Sequence, residues 1–199
     1  ELYIQSTQKL YLEKVNFKSP ANYEDNHNIS NEWSIYRWSQ MIDDLCDDEN
    51  INTIIERQKN NLYFKYLKTI HPSCNLSKFT SDELKVEHPN KRVLYIDDEV
   101  EKGWGEIFST ILGDINKLHF EYLDIEFNNL KQSEIINKSI DKVKKFNPDV
   151  VILDLRIHKD DFNFGKPTAL SGYKILKEIK KINKGIQVIV FSATNKIWN

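Results

Sequence analysis

Two adjacent acids, Asp97 and Asp98, with Glu99 behind them, close one short apolar run, and a fourth acid, Asp154, closes another. Brought to one point, Asp97, Asp98 and Asp154 would repel one another unless a hard divalent cation lay between them. An all-oxygen set of this kind suits Mg2+ with several waters retained. An aspartate neutralised in this way is also a nucleophile for a phosphoryl group, forming an acyl phosphate. Ser192 closes a further apolar run, and from the same rim its hydroxyl could donate to a phosphoryl oxygen on Asp154. The blander readings are a solvated turn for Asp97 and Asp98, a cap for Asp154 and a turn residue for Ser192. What favours the chemical reading is the apolar run ahead of each acid.

That chemistry requires elements that bring the runs together. Past Lys91 short apolar runs alternate with amphipathic stretches, the rhythm of a parallel sheet with crossover helices. The pattern predicts strands over 93–96, 120–127, 150–153 and 186–191, and helices over 101–112, 133–146 and 172–183. Gly103 and Gly105 weaken the first helix, and Asn147-Pro148-Asp149 ends the second. The unbroken run Val150-Val151-Ile152-Leu153 fits a strand covered on both faces. In an open parallel sheet the carboxyl ends of the strands line a common crevice, so the three aspartates are expected to meet there. The lysines of 142–145 and 177–184 read as solvated helix faces, and His158, Asp160 and Asp161 as parts of a polar loop.

Upstream, residues 1–90 read as a mainly helical region and linker. A loose apolar spacing suggests a helix over 2–17. A polar loop over 18–31 follows, and Ser30 or Asn31 can cap a helix bearing Trp33, Tyr36, Met41, Ile42 and Leu45. A third helix is predicted over 51–67, then a linker over 71–90 containing two prolines. Trp33, Tyr36 and Trp38 are expected to be core or interface.

Bulk composition narrows the function classes. The 199 residues carry 40% hydrophobic and 29% charged side chains, which fits a folded globular chain. A formal charge of −2 gives no pull toward nucleic acid. Cys46 and Cys74 have no CxxC partner or histidine cluster, so neither a zinc site nor a disulfide framework is implied. No apolar run approaches a membrane span and no signal peptide is visible, which makes the cytoplasm the expected compartment.

Four segments carry a resemblance to a known family. Val-Leu-Tyr-Ile-Asp-Asp-Glu (93–99), Asn-Pro-Asp-Val-Val-Ile-Leu-Asp-Leu (147–155), Ser-Gly-Tyr-Lys-Ile-Leu-Lys-Glu-Ile (171–179) and Val-Ile-Val-Phe-Ser-Ala (188–193) resemble, in order, the successive signatures of response regulator receiver domains. The resemblance covers 91–199 and implies a flavodoxin-like α/β fold. It further implies that Asp97 and Asp98 hold Mg2+ together with Asp154 and the backbone carbonyl of Arg156. Asp154 would take its phosphoryl group from a histidine kinase or phosphotransfer protein, Ser192 would be the switch hydroxyl, and Ala193 the small neighbour that leaves room. No enzymatic activity is implied beyond Mg2+-dependent self-phosphorylation.

The loop from Arg156 to Ser171 is longer than the family usually carries, and the family places a lysine after a fifth strand. Lys196 lies too close to Ser192 to fill that place. The chain is therefore expected to be a segment of something longer, ending before the fold is complete, with self-association expected through the helical region or the exposed sheet edge. The alternative function is a degenerate pseudo-receiver that acts as a protein-interaction adaptor. Tyr95-Ile96-Asp97-Asp98 also spells the YxDD of reverse-transcriptase palms, but the pattern after Glu99 is helical where a hairpin is needed. Haloacid dehalogenase phosphatases want an aspartate where Arg156 stands.

Overall fold

The computed structural model describes residues 23–45, 49–59, 61, 65, 80, 82–88, 90–163 and 166–192. The helix expected over 2–17, Cys46, Cys74, most of 60–79, Ala193 and Lys196 lie outside the described residues. The chain divides into two compact units, residues 1–80 and 81–199. Among the described residues no helix is long and apolar enough to cross a membrane.

In the first unit, α1 (Tyr23–Ile42) and α2 (Glu49–Lys59) pack together. Ile35, Tyr36 and Ile42 of α1 are buried, as are Ile51 and Ile54 of α2, at the spacings that give a helix one apolar stripe. Trp33 lies against Tyr36, ring centroids 5.9 Å apart. The helix starts at Tyr23, eight residues ahead of Asn31, within what reads as a polar loop. Its asparagines are weak helix formers, yet Asn31 itself is buried, so packing overrides local preference.

The second unit is an α/β structure: a four-stranded, all-parallel sheet in the order β2-β1-β3-β4. The strands are β1 (Arg92–Ile96), β2 (His119–Tyr122), β3 (Val150–Leu153) and β4 (Gln187–Val190). Between them run α3 (Trp104–Phe108), which continues as a wider π-helical segment over Ser109–Ile115, α4 (Gln132–Phe146) and α5 (Ser171–Ile182). β1 and β3 are central and buried because Val-Leu-Tyr-Ile and Val-Val-Ile-Leu have no polar face to offer water.

On one face Leu94, Ile96, Val151 and Leu153 meet Ile135 and Val143 of α4 and Ile175 and Ile179 of α5. On the other, Tyr95 packs edge-on to Phe108 at 5.0 Å, and Trp104 to Phe191 at 4.9 Å. The edge strand β4 leaves Ile189 54% and Val190 49% exposed. Local chemistry sets the boundaries. Gly103 takes φ 127, which favours a residue without Cβ, and α3 starts after it. Glu134 accepts the Lys131 backbone N–H at 2.8 Å at the start of α4. Asn147 ends that helix in the left-handed region at φ 52.

β2 is shorter than the predicted 120–127. After the Leu123 N–H bonds the Tyr95 carbonyl at 2.9 Å the chain leaves the ladder, while Leu123, Ile125 and Phe127 still pack on the core without being a strand.

Candidate metal centre

Register alone brings the acids together. Ile96 pairs with Leu153 in the parallel β1–β3 ladder, and the Asp154 N–H donates to the Ile96 carbonyl at 3.0 Å, so Asp97 and Asp154 leave adjacent strands side by side. One carboxylate oxygen from each of Asp97, Asp98 and Asp154 lies within 4.8 Å of the others. The three aspartates singled out from sequence are thus one cluster at the carboxyl ends of the central strands. Phe191 continues β4 opposite Asp154, its N–H donating to the Leu153 carbonyl at 3.0 Å, and Ser192 follows it, half-buried.

Each acid is held by its surroundings. Asp97 is 6% exposed. Its Oδ2 accepts the Tyr95 hydroxyl at 2.6 Å, and its Oδ1 accepts the Glu99 N–H at 2.7 Å. The Arg156 N–H donates to Asp154 Oδ2 at 3.1 Å, which curls the loop after β3 around the carboxylate. Glu99 turns its own charge toward Lys102, 2.5 Å away.

The electrostatic consequence is a pair of unwilling anions. Burial pushes the Asp97 carboxyl up to about 7, with Asp154 repelling it further, against the pull of the Tyr95 and Glu99 hydrogen bonds. Asp98 is pushed up to about 8 by desolvation, then by Asp97, Asp154 and Glu99. Because the Asp98 residue as a whole is exposed, the neighbouring charges are the firmer of its causes. The same field and burial raise the Tyr95 phenol above its ordinary range, so it stays a hydrogen-bond donor.

Three carboxylates that repel at this spacing fit a hard divalent cation, which would relieve the repulsion with oxygen ligands alone. The donor set contains no thiol or imidazole, which argues for Mg2+, Ca2+ or Mn2+ over zinc or copper.

The loop after β3, a plain polar loop by composition, is organised by a residue whose weight sequence reasoning missed. Asp161 is 1% exposed. Its Oδ2 accepts the Ile157 and His158 N–H groups at 3.1 and 3.0 Å; its Oδ1 accepts the Ser171 N–H and hydroxyl at 3.1 and 3.0 Å and the Gln132 amide at 2.9 Å. His158 is buried too, its Nδ1 accepting the Asp160 N–H at 3.2 Å. Asp161 thereby ties the residues just beyond Arg156 to the starts of α4 and α5. Where α5 begins, the Gly172 N–H donates to the Leu155 carbonyl at 3.1 Å, and a Cβ on Gly172 would stand 2.1 Å from the Asp154 carbonyl oxygen. The absence of a side chain there lets α5 seat against the Asp154 loop. A lone acid in a charged loop gives no sequence signal for this; the one available hint is the apolar Ile157 and Leu170 flanking the loop.

Comparison with protein-family models, with curated proteins and with solved structures returned no significant match.

Proposed function

We propose that residues 91–199 form a receiver-type phosphoacceptor module of a two-component signalling protein, phosphorylated on Asp154, with Mg2+ held by Asp97, Asp98, Asp154 and the carbonyl of Arg156. The observation that carries this reading is the convergence of three aspartates within 4.8 Å at the carboxyl ends of the central strands. The strand order β2-β1-β3-β4 supports it, being the order of the first four strands of flavodoxin-like sheets, whose ligands bind at that end.

A bound divalent cation would supply charge neutralisation for the acids and for the incoming phosphoryl oxygens. Asp154 would attack phosphorus with a carboxylate oxygen, forming the acyl phosphate P–O bond as the bond to the donor breaks. The electron pair of that broken bond leaves with the donor, which on a phosphohistidine is the ring nitrogen. The Arg156 N–H orients Asp154, and Asp97 is oriented in turn by Tyr95 and Glu99. Ser192 would donate to a phosphoryl oxygen and report the modification to an attached domain. The donor would be a histidine kinase or phosphotransfer protein.

The test is incubation with Mg2+ and a small phosphodonor, followed by intact-mass measurement, alongside beryllofluoride titration read by the change in intrinsic tryptophan fluorescence. Wild type should gain one phosphoryl group, and Asp154→Asn should gain none. Equal labelling of Asp154→Asn sinks the reading. Failure of wild type to label or to bind beryllofluoride in Mg2+ transfers the assignment to a pseudo-receiver adaptor.

A further inference from the structure

The three aspartates of the acidic centre differ in how freely they can turn. Asp98 is exposed, whereas Asp97 is buried and has a donor on each oxygen. The Tyr95 hydroxyl donates to Oδ2 at 2.6 Å and the Glu99 N–H to Oδ1 at 2.7 Å. Neither donor can follow the carboxylate if it rotates. The Tyr95 side chain is fully buried, and its ring is held edge-on by Phe108 at 5.0 Å and by Phe191 at 6.4 Å. The phenolic oxygen lies on the ring axis, so it moves only if the ring does. The Glu99 N–H belongs to a turn fixed by the buried Val100 and by the Lys102 N–H, which donates to the Glu99 carbonyl at 2.9 Å.

Divalent ions differ in what they ask of such a group. Ca2+ takes more oxygens than Mg2+, in a looser geometry, and commonly draws on both oxygens of one carboxylate; Mg2+ takes one oxygen from each group and retains water for the rest. Bidentate ligation by Asp97 requires the carboxylate to turn about its Cβ–Cγ bond until both oxygens aim at one ion. That rotation pulls an oxygen away from a buried donor, which forfeits the hydrogen bond and leaves a desolvated hydroxyl without an acceptor. Asp154 is restrained in the same way on one side only, its Oδ2 accepting the Arg156 N–H at 3.1 Å.

We propose that Tyr95 is a positioning residue that sets the ion selectivity of the acidic centre: by holding Asp97 in one orientation it favours Mg2+ over Ca2+. The inference rests on the reading of the centre as a cation site. It does not depend on phosphoryl transfer to Asp154. Selectivity here comes from the rigidity of a ligand and not from its charge, because Tyr95 adds no charge to the cluster and the aspartates are equally available to either ion.

The test is calorimetric titration of the whole chain with Mg2+ and, separately, with Ca2+, at one pH, for wild type and Tyr95→Phe. Both ions displace the same proton from Asp97, so the ratio of their affinities at a given pH is independent of how readily that carboxyl ionises. Wild type should bind Mg2+ more tightly than Ca2+. Tyr95→Phe keeps the ring and removes the donor, and its ratio should shift toward Ca2+ by roughly fivefold or more. Circular dichroism checks the fold of the variant, and the wild-type preference is a measurement that needs no variant. Ca2+ bound by wild type as tightly as Mg2+, or a ratio unchanged in Tyr95→Phe, overturns the role of Tyr95 and leaves the cation site standing. Binding of neither ion by wild type overturns the role and the site together.

Discussion

The hydroxyl of Tyr95 does more for the acidic centre than its place in a strand suggests. It is buried, it donates to Asp97 at 2.6 Å, and it is one of two hydrogen bonds that pull the Asp97 carboxyl down against burial and the repulsion of Asp154. Tyr95→Phe keeps the ring that packs on Phe108 and removes only the donor. A hydrogen bond to a charged group contributes about 1.5–3 kcal/mol, so Asp97 in the variant should hold its proton to higher pH. Cation binding, which needs the carboxylate, should weaken by roughly tenfold near neutral pH and recover as pH rises. Calorimetric Mg2+ titration at two pH values reads this; an affinity equal to wild type at both excludes the role.

The acids are positioned by elements of differing legibility. The runs 93–96 and 150–153 could be read as strands because a strand buried on both faces has an uninterrupted apolar sequence, and their pairing in register makes Asp97 and Asp154 neighbours. β2 was over-extended for the converse reason: Leu123, Ile125 and Phe127 bury against the core without a ladder, so apolar spacing persists where strand geometry has ended. Asp161 was illegible because its partners are Ile157, His158, Ser171 and Gln132, the last 29 positions away from it on a different helix. Removing it leaves the buried donors of Ile157, His158 and Ser171, on two segments, without this acceptor, while Gln132 keeps the Ala169 carbonyl. Asp161→Ala should therefore cost about 3 kcal/mol in urea unfolding. It should also loosen the Asp154–Ile157 turn, weakening Mg2+ binding even at temperatures where the fold is intact. A variant as stable as wild type would show that the loop finds other acceptors and that Asp161 does not set its course.

At the scale of the whole molecule the acidic centre is a liability that a bound cation would relieve. Asp97 and Asp98 titrate in the folded chain at about 7 and about 8, whereas an unfolded aspartate titrates near ~4. Between those limits the folded state binds more protons than the unfolded state, so stability falls as pH rises. Below ~4 both states are protonated and the cluster costs nothing; above about 8 it is fully ionised in both states and the cost is complete. Asp149 acts in the opposite sense, its carboxyl lowered foremost by the Arg92 backbone N–H, but that contribution is lost only on acidification through the carboxylate range. In EDTA, then, the melting temperature should decline from about pH 6 to about pH 8 by more than in an Asp97→Asn, Asp98→Asn double variant. If Mg2+ occupies the cluster as proposed, it would bind the folded state and displace those protons, so saturating Mg2+ should raise the melting temperature more at the upper pH than at the lower and flatten the slope. A wild-type slope that matches the double variant, or a Mg2+ effect independent of pH, would mean that these carboxylates do not share a field in solution, and the case for a cation between them would fall with it.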